Sequence, residues 1–276
     1  MSKIRRGMTI RWWRKNRVAL VQIEGIITDS QFGASRDEVL DALEQVESVG
    51  ARAAVVRINS PGGTVGAAQE MHDGIKEVRK KGIPVVAALG DVAASGGLYV
   101  ALAADKIVSN PGTITGSIGV IVKAHNLRQL YEKIGIEEER IKSGRYKDIL
   151  STFRPLTDEE RALLQDVIND TYEQFLRAVV QGRHLPEERV RAFADGRIFT
   201  GRQAKQWGLV DELGGLQRAV ELAAQMGGIV GKPKKVPITP RKRGLLGRLF
   251  TAMDRVELEI ELLRGLGGVP LWLMPM

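Results

Sequence analysis

Ser95 is the first residue in this chain whose surroundings suggest covalent chemistry. It stands in Ala93-Ala94-Ser95-Gly96-Gly97, directly after an apolar run. Small neighbours at a strand-to-helix turn leave a hydroxyl open to substrate, the steric logic of a nucleophile elbow, although the G-x-S-x-G pattern itself is absent. The N–H of Gly96 is placed in principle to hold an oxyanion. A second glycine turn, Asn59-Ser60-Pro61-Gly62-Gly63, closes another apolar run. Paired glycines let a backbone N–H face a substrate oxygen with no Cβ in the way. Taken singly, each segment also reads as an ordinary packing turn. A serine hydroxyl attacks only when a base takes its proton. His72 falls in a helical pattern and His184 in a polar turn, so His125 is the one histidine a triad could use. Lysine is the alternative base, provided burial lowers its pKa from about 10.4 toward about 7–8. The Gly/Ser loop Ile141-Lys142-Ser143-Gly144-Arg145-Tyr146-Lys147-Asp148 offers two, Lys142 and Lys147, and Ser117 in Thr115–Gly119 supplies a hydroxyl to hold one of them. Cysteine is absent, which excludes disulfides, thiolate metal sites and a thiol nucleophile. The three histidines make no pair at metal-ligand spacing.

The elements that must position these residues follow from hydrophobic periodicity. Val18–Ile27, Ala53–Asn59 and Pro84–Leu89 read as buried strands, with helices over Arg36–Val49, Val65–Lys81 and near Gly97–Ala104. Strand and helix alternating at short spacing predict a parallel α/β sheet with crossover helices. In such sheets ligands bind beyond the carboxyl ends of the strands, where both glycine turns fall. After Asp105–Ser109 and the turn Asn110-Pro111-Gly112, Ser117–Lys123 reads as a strand, Asn126–Ile134 as a helix and Ile136–Lys142 as a short strand. Thr157 and Glu160 form a capping-box pattern at the head of a long helix that Gly182 ends. Helices near Pro186–Phe193 and Gly215–Gln225 complete the globular part, and Gly227–Pro240 reads as a linker.

Five segments in this order, INSPGG, AASGG, NPGTITGSIGV, IKSGRYKD and ADGRIFTGRQAKQWGLVDELGG, resemble the signal peptide peptidase A family. These are S49-type serine proteases with a Ser–Lys dyad, in the clan of caseinolytic protease P and the crotonases. The resemblance runs from about Val18 to Leu216. It implies that Ser95 is the nucleophile and Lys147 the general base, because the family's spacing of 52 residues selects Lys147 over Lys142. It further implies that Ser117 hydrogen-bonds the lysine amine, that the N–H groups of Gly63 and Gly96 form the oxyanion hole, and that Gly62 shapes the turn. The implied fold is crotonase/caseinolytic-protease-like. The implied assembly is a ring-like homo-oligomer in which Lys147 serves the next protomer's Ser95. No cofactor or metal is expected; the partners expected are peptides, such as cleaved signal peptides.

Length and charge frame this reading. At 276 residues and 27% charged, the chain suits one large domain with a proper core. The net charge of +8 is unevenly spread, since residues 1–17 and 232–248 each hold seven Lys/Arg and no acid, leaving the body at about −6. Basic ends suggest an anionic partner rather than a basic cleft, and an anionic membrane surface is expected at residues 1–17 and 232–276, with no nucleic acid. Trp12-Trp13 and the apolar stretch Gly267–Met276 would supply the interfacial groups. No run of 18 apolar residues and no signal-peptide pattern occurs, so a cytoplasmic, peripherally bound protein is expected. The expected organisation is a basic arm (1–17), a peptidase domain (18–226), a linker (227–240) and a basic/apolar interaction segment (241–276). Two rivals remain on the residues alone. One is a crotonase-like acyl-CoA enzyme using the same oxyanion hole, and the other a non-catalytic membrane-associated scaffold.

Overall fold

The computed structural model describes residues 16–30 and 33–239, and the backbone of 271–273. Trp12, Trp13 and nearly all of residues 241–276 therefore lie outside the described residues. A main sheet is built from β1 (Arg17–Glu24), β4 (Ala53–Ser60), β6 (Val85–Ala94), β7 (Lys106–Ser109), β10 (Glu212–Leu213) and β11 (Lys234–Pro237). Its order is β10-β7-β6-β4-β1-β11, with every neighbouring pair parallel. A further strand, β8 (Ile114–Gly116), pairs parallel with the end of β6, and β9 (Ile198–Thr200) pairs antiparallel with β8.

Both faces of the main sheet are covered, which explains the apolar runs Ala53–Val56 of β4 and Val85–Leu89 of β6. Alternate residues Ala54, Val56, Ile58, Val85, Ala87 and Leu89 face one core. Helices α1 (Arg36–Ser48) and α2 (Val65–Lys80) pack there through Val39, Leu43, Val46, Met71 and Ile75. Each such side chain contributes roughly 1.5–3 kcal/mol by leaving water. On the other face Val55, Val86, Ala88 and Val108 meet Ala219, Val220 and Ala223 of the helix Leu216–Met226.

The remaining helices in chain order are α3 (Gly96–Ala101), α4 (Arg128–Ile134), α5 (Asp158–Arg183), α6 (Glu187–Arg191) and α7 (Gly201–Trp207), so Leu216–Met226 is α8. α5 begins with the expected capping box, in which Thr157 accepts from the Glu160 N–H and the Glu160 carboxylate accepts from the Thr157 N–H.

Several expected boundaries move, each for a local reason. Val18–Ile27 is not one strand: Gly25 has φ +88° and turns the chain out of the main sheet. Beyond it, β2 (Ile27–Thr28) joins a second, small sheet with β3 (Ala34–Ser35), β5 (Gly62–Thr64) and β12 (Leu271–Leu273), in the order β12-β5-β2-β3. β6 runs five residues past Leu89, because the Asn59 carboxamide oxygen accepts the Asp91 and Val92 N–H groups and carries the strand across a register shift. Ser117–Lys123 is not a strand; the strand is β8, just before it, and Ser117 has φ 52°, outside the extended region. Ile136–Lys142 has no regular structure, since it finds no strand partner. Gly182 does not end α5. It lies within the helix where a Cβ would meet the Leu102 carbonyl oxygen at 2.6 Å, and the left-handed cap is His184. Residues 227–240, expected as a linker, carry β11 paired parallel to β1.

Candidate active site

Three parallel strands end side by side and deliver the candidate residues together. In register, Ser60 of β4 lies beside Ala93 of β6, and Ala94 of β6 lies beside Gly116 of β8. The next residues along β6 and β8 are Ser95 and Ser117. Neighbouring strands are about 4.8 Å apart, so the two serines leave the sheet as neighbours. Each has φ 52°, a left-handed conformation rare for a residue with a Cβ. Each is pinned by its own amide: the Ser95 N–H donates to the Gly116 carbonyl at 2.8 Å, and the Ser117 N–H to the Arg197 carbonyl at 2.7 Å. Both are buried.

Ser95 is the N-cap of α3, so its side chain stands at the head of that helix beside the unpaired first-turn N–H groups. Gly97 lets α3 sit tightly on β4, since a Cβ there would come within 2.8 Å of the Ser60 carbonyl oxygen. On the other side of Ser95, Pro61-Gly62-Gly63 leads from β4 into β5. Gly62 has φ +106° and its N–H is held by Ser60 Oγ at 3.1 Å. Gly63 lies against β2, where a Cβ would fall 1.8 Å from the Ile27 carbonyl oxygen. The residue types at 62 and 63 are therefore fixed by backbone geometry, one by φ and one by close approach.

Lys147 stands apart from this cluster. It lies in a turn of the arm 121–156, is exposed, and within this single chain forms no hydrogen bond with Ser95 or Ser117 among the described residues. Lys142 is committed elsewhere: its ammonium binds the Asp148 carboxylate and the Arg145 carbonyl. Asp148, the residue after Lys147, also accepts from Arg140 and Arg154. The Arg154, Lys142 and Arg140 hydrogen bonds hold its carboxyl well below the usual carboxylate range. Arg154 in turn grips Glu160 in the first turn of α5, and Glu160 is lowered to about 2 by Arg154 and by the Thr157 N–H. The loop carrying Lys147 is thus clamped to α5 through its neighbour. His125 is exposed on the same arm. His72 is buried against Tyr99, where desolvation lowers it to about 4.

Sequence reasoning missed the residues that hold Ser117 in place. Phe199 of β9 lies where a Gly116 Cβ would be, at 2.5 Å, and Arg197 supplies the carbonyl for Ser117. The signal was a second capping box at Thr200 and Gln203, which marks the start of α7 and so the end of β9. Asp148, Arg154 and Glu160 were likewise invisible as a unit.

The family model for peptidase family S49 matches residues 77–229. The slr0021 protein of Synechocystis sp. is 43% identical over 275 residues, covering 94% of this chain and 96% of that protein. The chloroplastic serine protease SPPA of Arabidopsis thaliana is 37% identical over 213 residues, covering 76% of this chain but 31% of that protein. Protease 4 of Haemophilus influenzae is 33% identical over 215 residues, covering 76% of this chain and 35% of that protein. The chain thus spans about a third of the length of these last two relatives. Among solved structures, a mutant form of the membrane-bound stomatin-specific protease 1510-N superposes with a TM-score of 0.54 at 16% identity, over 82% of this chain and 99% of that one. A mutant form of ClpP1 from Listeria monocytogenes gives 0.50 at 20% identity, over 77% and 99%. The last two matches show the fold. The family match and the identity to slr0021 place the chain, a protease by kinship, in the signal peptide peptidase A group of peptidase family S49.

Proposed function

We propose that the chain is a serine endopeptidase in which Ser95 is the nucleophile, Lys147 the general base and Ser117 the residue that orients the lysine. The observation that carries this is the register Ala94↔Gly116, which sets two strained serine positions side by side at the carboxyl ends of neighbouring strands, next to the glycine turn 62–63. In the first half-reaction a neutral Lys147 amine takes the Ser95 Oγ proton while the oxygen bonds to the scissile carbonyl carbon. The Gly63 and Gly96 N–H groups stabilise the resulting oxyanion. Collapse breaks the C–N bond, and the ammonium returns its proton to the leaving amine. Water then attacks the acyl-enzyme, giving its proton to Lys147, and the proton passes back to Ser95 as the carboxylic product leaves.

Lys147 reaches Ser95 from a second copy of the chain. Three features support this: Lys147 is exposed on an arm, the arm carries unpartnered apolar side chains including Leu130, Ile134 and Ile141 (97% exposed), and the outer face of α5 adds Leu163 and Val167. Exposed apolar side chains such as these are what an interface between copies would cover. Unfolded or membrane-released peptides are the proposed substrates, and residues 1–17 and 232–248 are the proposed contact with anionic lipid. Among the described residues no helix is long and apolar enough to cross a membrane.

A fluorophosphonate probe followed by intact mass measurement tests the mechanism. One adduct is expected on the wild type and none on Ser95→Ala, with peptide hydrolysis lost in Ser95→Ala and in Lys147→Ala. The double variant should be hardly worse than either single, because groups acting as a unit give non-additive losses. Absence of any adduct together with full activity of Ser95→Ala would overturn the assignment. Turnover of an acyl-CoA thioester without peptidase activity would favour the crotonase-like alternative, and no turnover of either substrate the scaffold.

A further inference from the structure

Two helices face a polar cleft that the proposed active site does not use. α2 contributes Gln69, His72, Lys76 and Arg79, at spacings of three and four residues, and α5 contributes Gln174, Arg177 and Gln181 at the same spacings. Helix faces turned toward a neighbour are ordinarily apolar and close on it. These two instead border a cavity of about 710 Å³, a size that suits a small molecule. The Gln69 side chain donates to Gln174 at 2.8 Å and bridges the helices, and Tyr99 and Leu102 complete the lining from α3. None of Gly62, Gly63, Ser95 and Ser117 lines it.

In a body that is acidic overall, the lining carries five Lys/Arg against three Asp. Two of the acids are fully engaged. Asp105 accepts from Arg79 at 2.7 Å and from the Val85 N–H at 2.8 Å. Asp211 accepts from the Ile107 N–H at 2.8 Å and pairs with Lys106 and Arg183. Lys76 and Arg177, one on each helix, make no hydrogen bond or ion pair among the described residues. Glu173, one turn before Arg177, is taken by both terminal nitrogens of Arg191. Two long cationic side chains without partners, on opposite walls, can converge on one anion, and phosphate is the anion that Lys and Arg hold best.

His72 adds a polar group of a different kind. It is 5% exposed, and desolvation, with the nearby charge of Lys76, keeps its ring neutral at pH 7. Its Nδ1 lies 3.2 Å from the Asp73 carboxylate, which can only accept, so Nδ1 carries the proton and Nε2 a lone pair. Nε2 has no partner among the described residues and is not sealed from solvent, so it faces the open space of the cleft. Such a nitrogen accepts a hydrogen bond from a hydroxyl. We propose that the cleft between α2 and α5 binds a small phosphorylated molecule bearing hydroxyl groups, its phosphate held by Lys76 and Arg177 and a hydroxyl donating to His72 Nε2. This site stands independently of the peptidase reading.

Calorimetric titration of the full chain with ribose 5-phosphate and with inorganic phosphate tests this. Ribose 5-phosphate should bind about 10-fold more tightly, because only it offers a hydroxyl on a carbon frame. Lys76→Met combined with Arg177→Met should weaken both probes at least about 10-fold. Ser95→Ala should bind ribose 5-phosphate as the wild type does, whatever its effect on hydrolysis. The chain has three histidines, so ring-¹⁵N labelling gives a simple second readout that needs no substitution in the core. The His72 Nε2 resonance should move with ribose 5-phosphate and not with inorganic phosphate, while His125 stays in place. Absence of binding by either probe, binding that survives the double substitution, or equal affinities with an unmoved His72 resonance would overturn the proposal. Capture by phosphatidylglycerol vesicles that depends on Lys76 and Arg177, with no ribose 5-phosphate bound, would overturn it in favour of a lipid headgroup.

Discussion

Ser95 and Ser117 share the same uncommon backbone angle, and each such residue costs of order 1–3 kcal/mol. The cost is offset by what surrounds them: Ser95 is tied to Gly116, Ser117 to Arg197, and Gly116 is wedged against Phe199. Such rigidity suits the orienting role proposed for Ser117. Ser117→Ala is therefore expected to lower kcat about 10–100-fold while leaving KM within about 2-fold, as loss of positioning does. Steady-state kinetics on a peptide substrate checks this, and a raised KM with kcat unchanged would argue for a binding role. Gly63→Ala carries a different penalty. Its Cβ would fall 1.8 Å from a backbone oxygen of β2, which cannot swing aside as a side chain does. A loss of about 3 kcal/mol is expected, seen as a Tm lowered by roughly 6–12 °C in thermal unfolding.

The element on which the proposed chemistry most depends is the arm 121–156. It has little core of its own: Tyr131 stacks on Phe153 at 3.9 Å and Arg140 lies over the same ring. Ion pairs tie it to the head of α5: a chain from Asp148 through Arg154 to Glu160, and a second pair between Arg145 and Glu159. Asp148 and Glu160 both have folded pKa values depressed below their unfolded ones, near 3.8 and 4.5. Their contribution is accordingly present above about pH 4.5 and is lost as pH falls, for Glu160 through about 2. Acidification below pH 4 should loosen the arm before the main sheet, visible as faster hydrogen exchange in residues 140–156 than in β4 and β6. Asp148→Asn should produce the same loosening at neutral pH and depress peptide hydrolysis, by freeing the loop that carries Lys147. Unchanged exchange in that variant would show that the clamp is not what holds the arm.

At the scale of the whole molecule, one chain presents Ser95 buried at a sheet edge and Lys147 exposed on an arm. A shared site between copies reconciles the two positions. Co-expression of Ser95→Ala with Lys147→Ala should then recover activity, because some interfaces pair an intact serine with an intact lysine. If one such site forms for every four pairings, recovery of about a quarter of wild-type activity is expected. Activity remaining in a dilute monomer, with no recovery on co-expression, would place the whole dyad within one chain.

By itself the sequence determined the parallel α/β sheet, because strands buried on both faces, such as Ala53–Asn59, carry apolar residues on both sides of the pleat over most of their length rather than in simple alternation. It also determined the glycine turns and the cap at Thr157, since these depend on residues within a few positions of one another. The tertiary structure alone decided the register Ala94↔Gly116, the clamp from Asp148 to Glu160, and the meeting of Leu271–Leu273 with β5. Short strands such as β5, β8 and β9 carry too few residues for a period to appear. Their partners lie far away in the chain, and main-chain pairing leaves no imprint on side-chain type. Only folding brings such edges together.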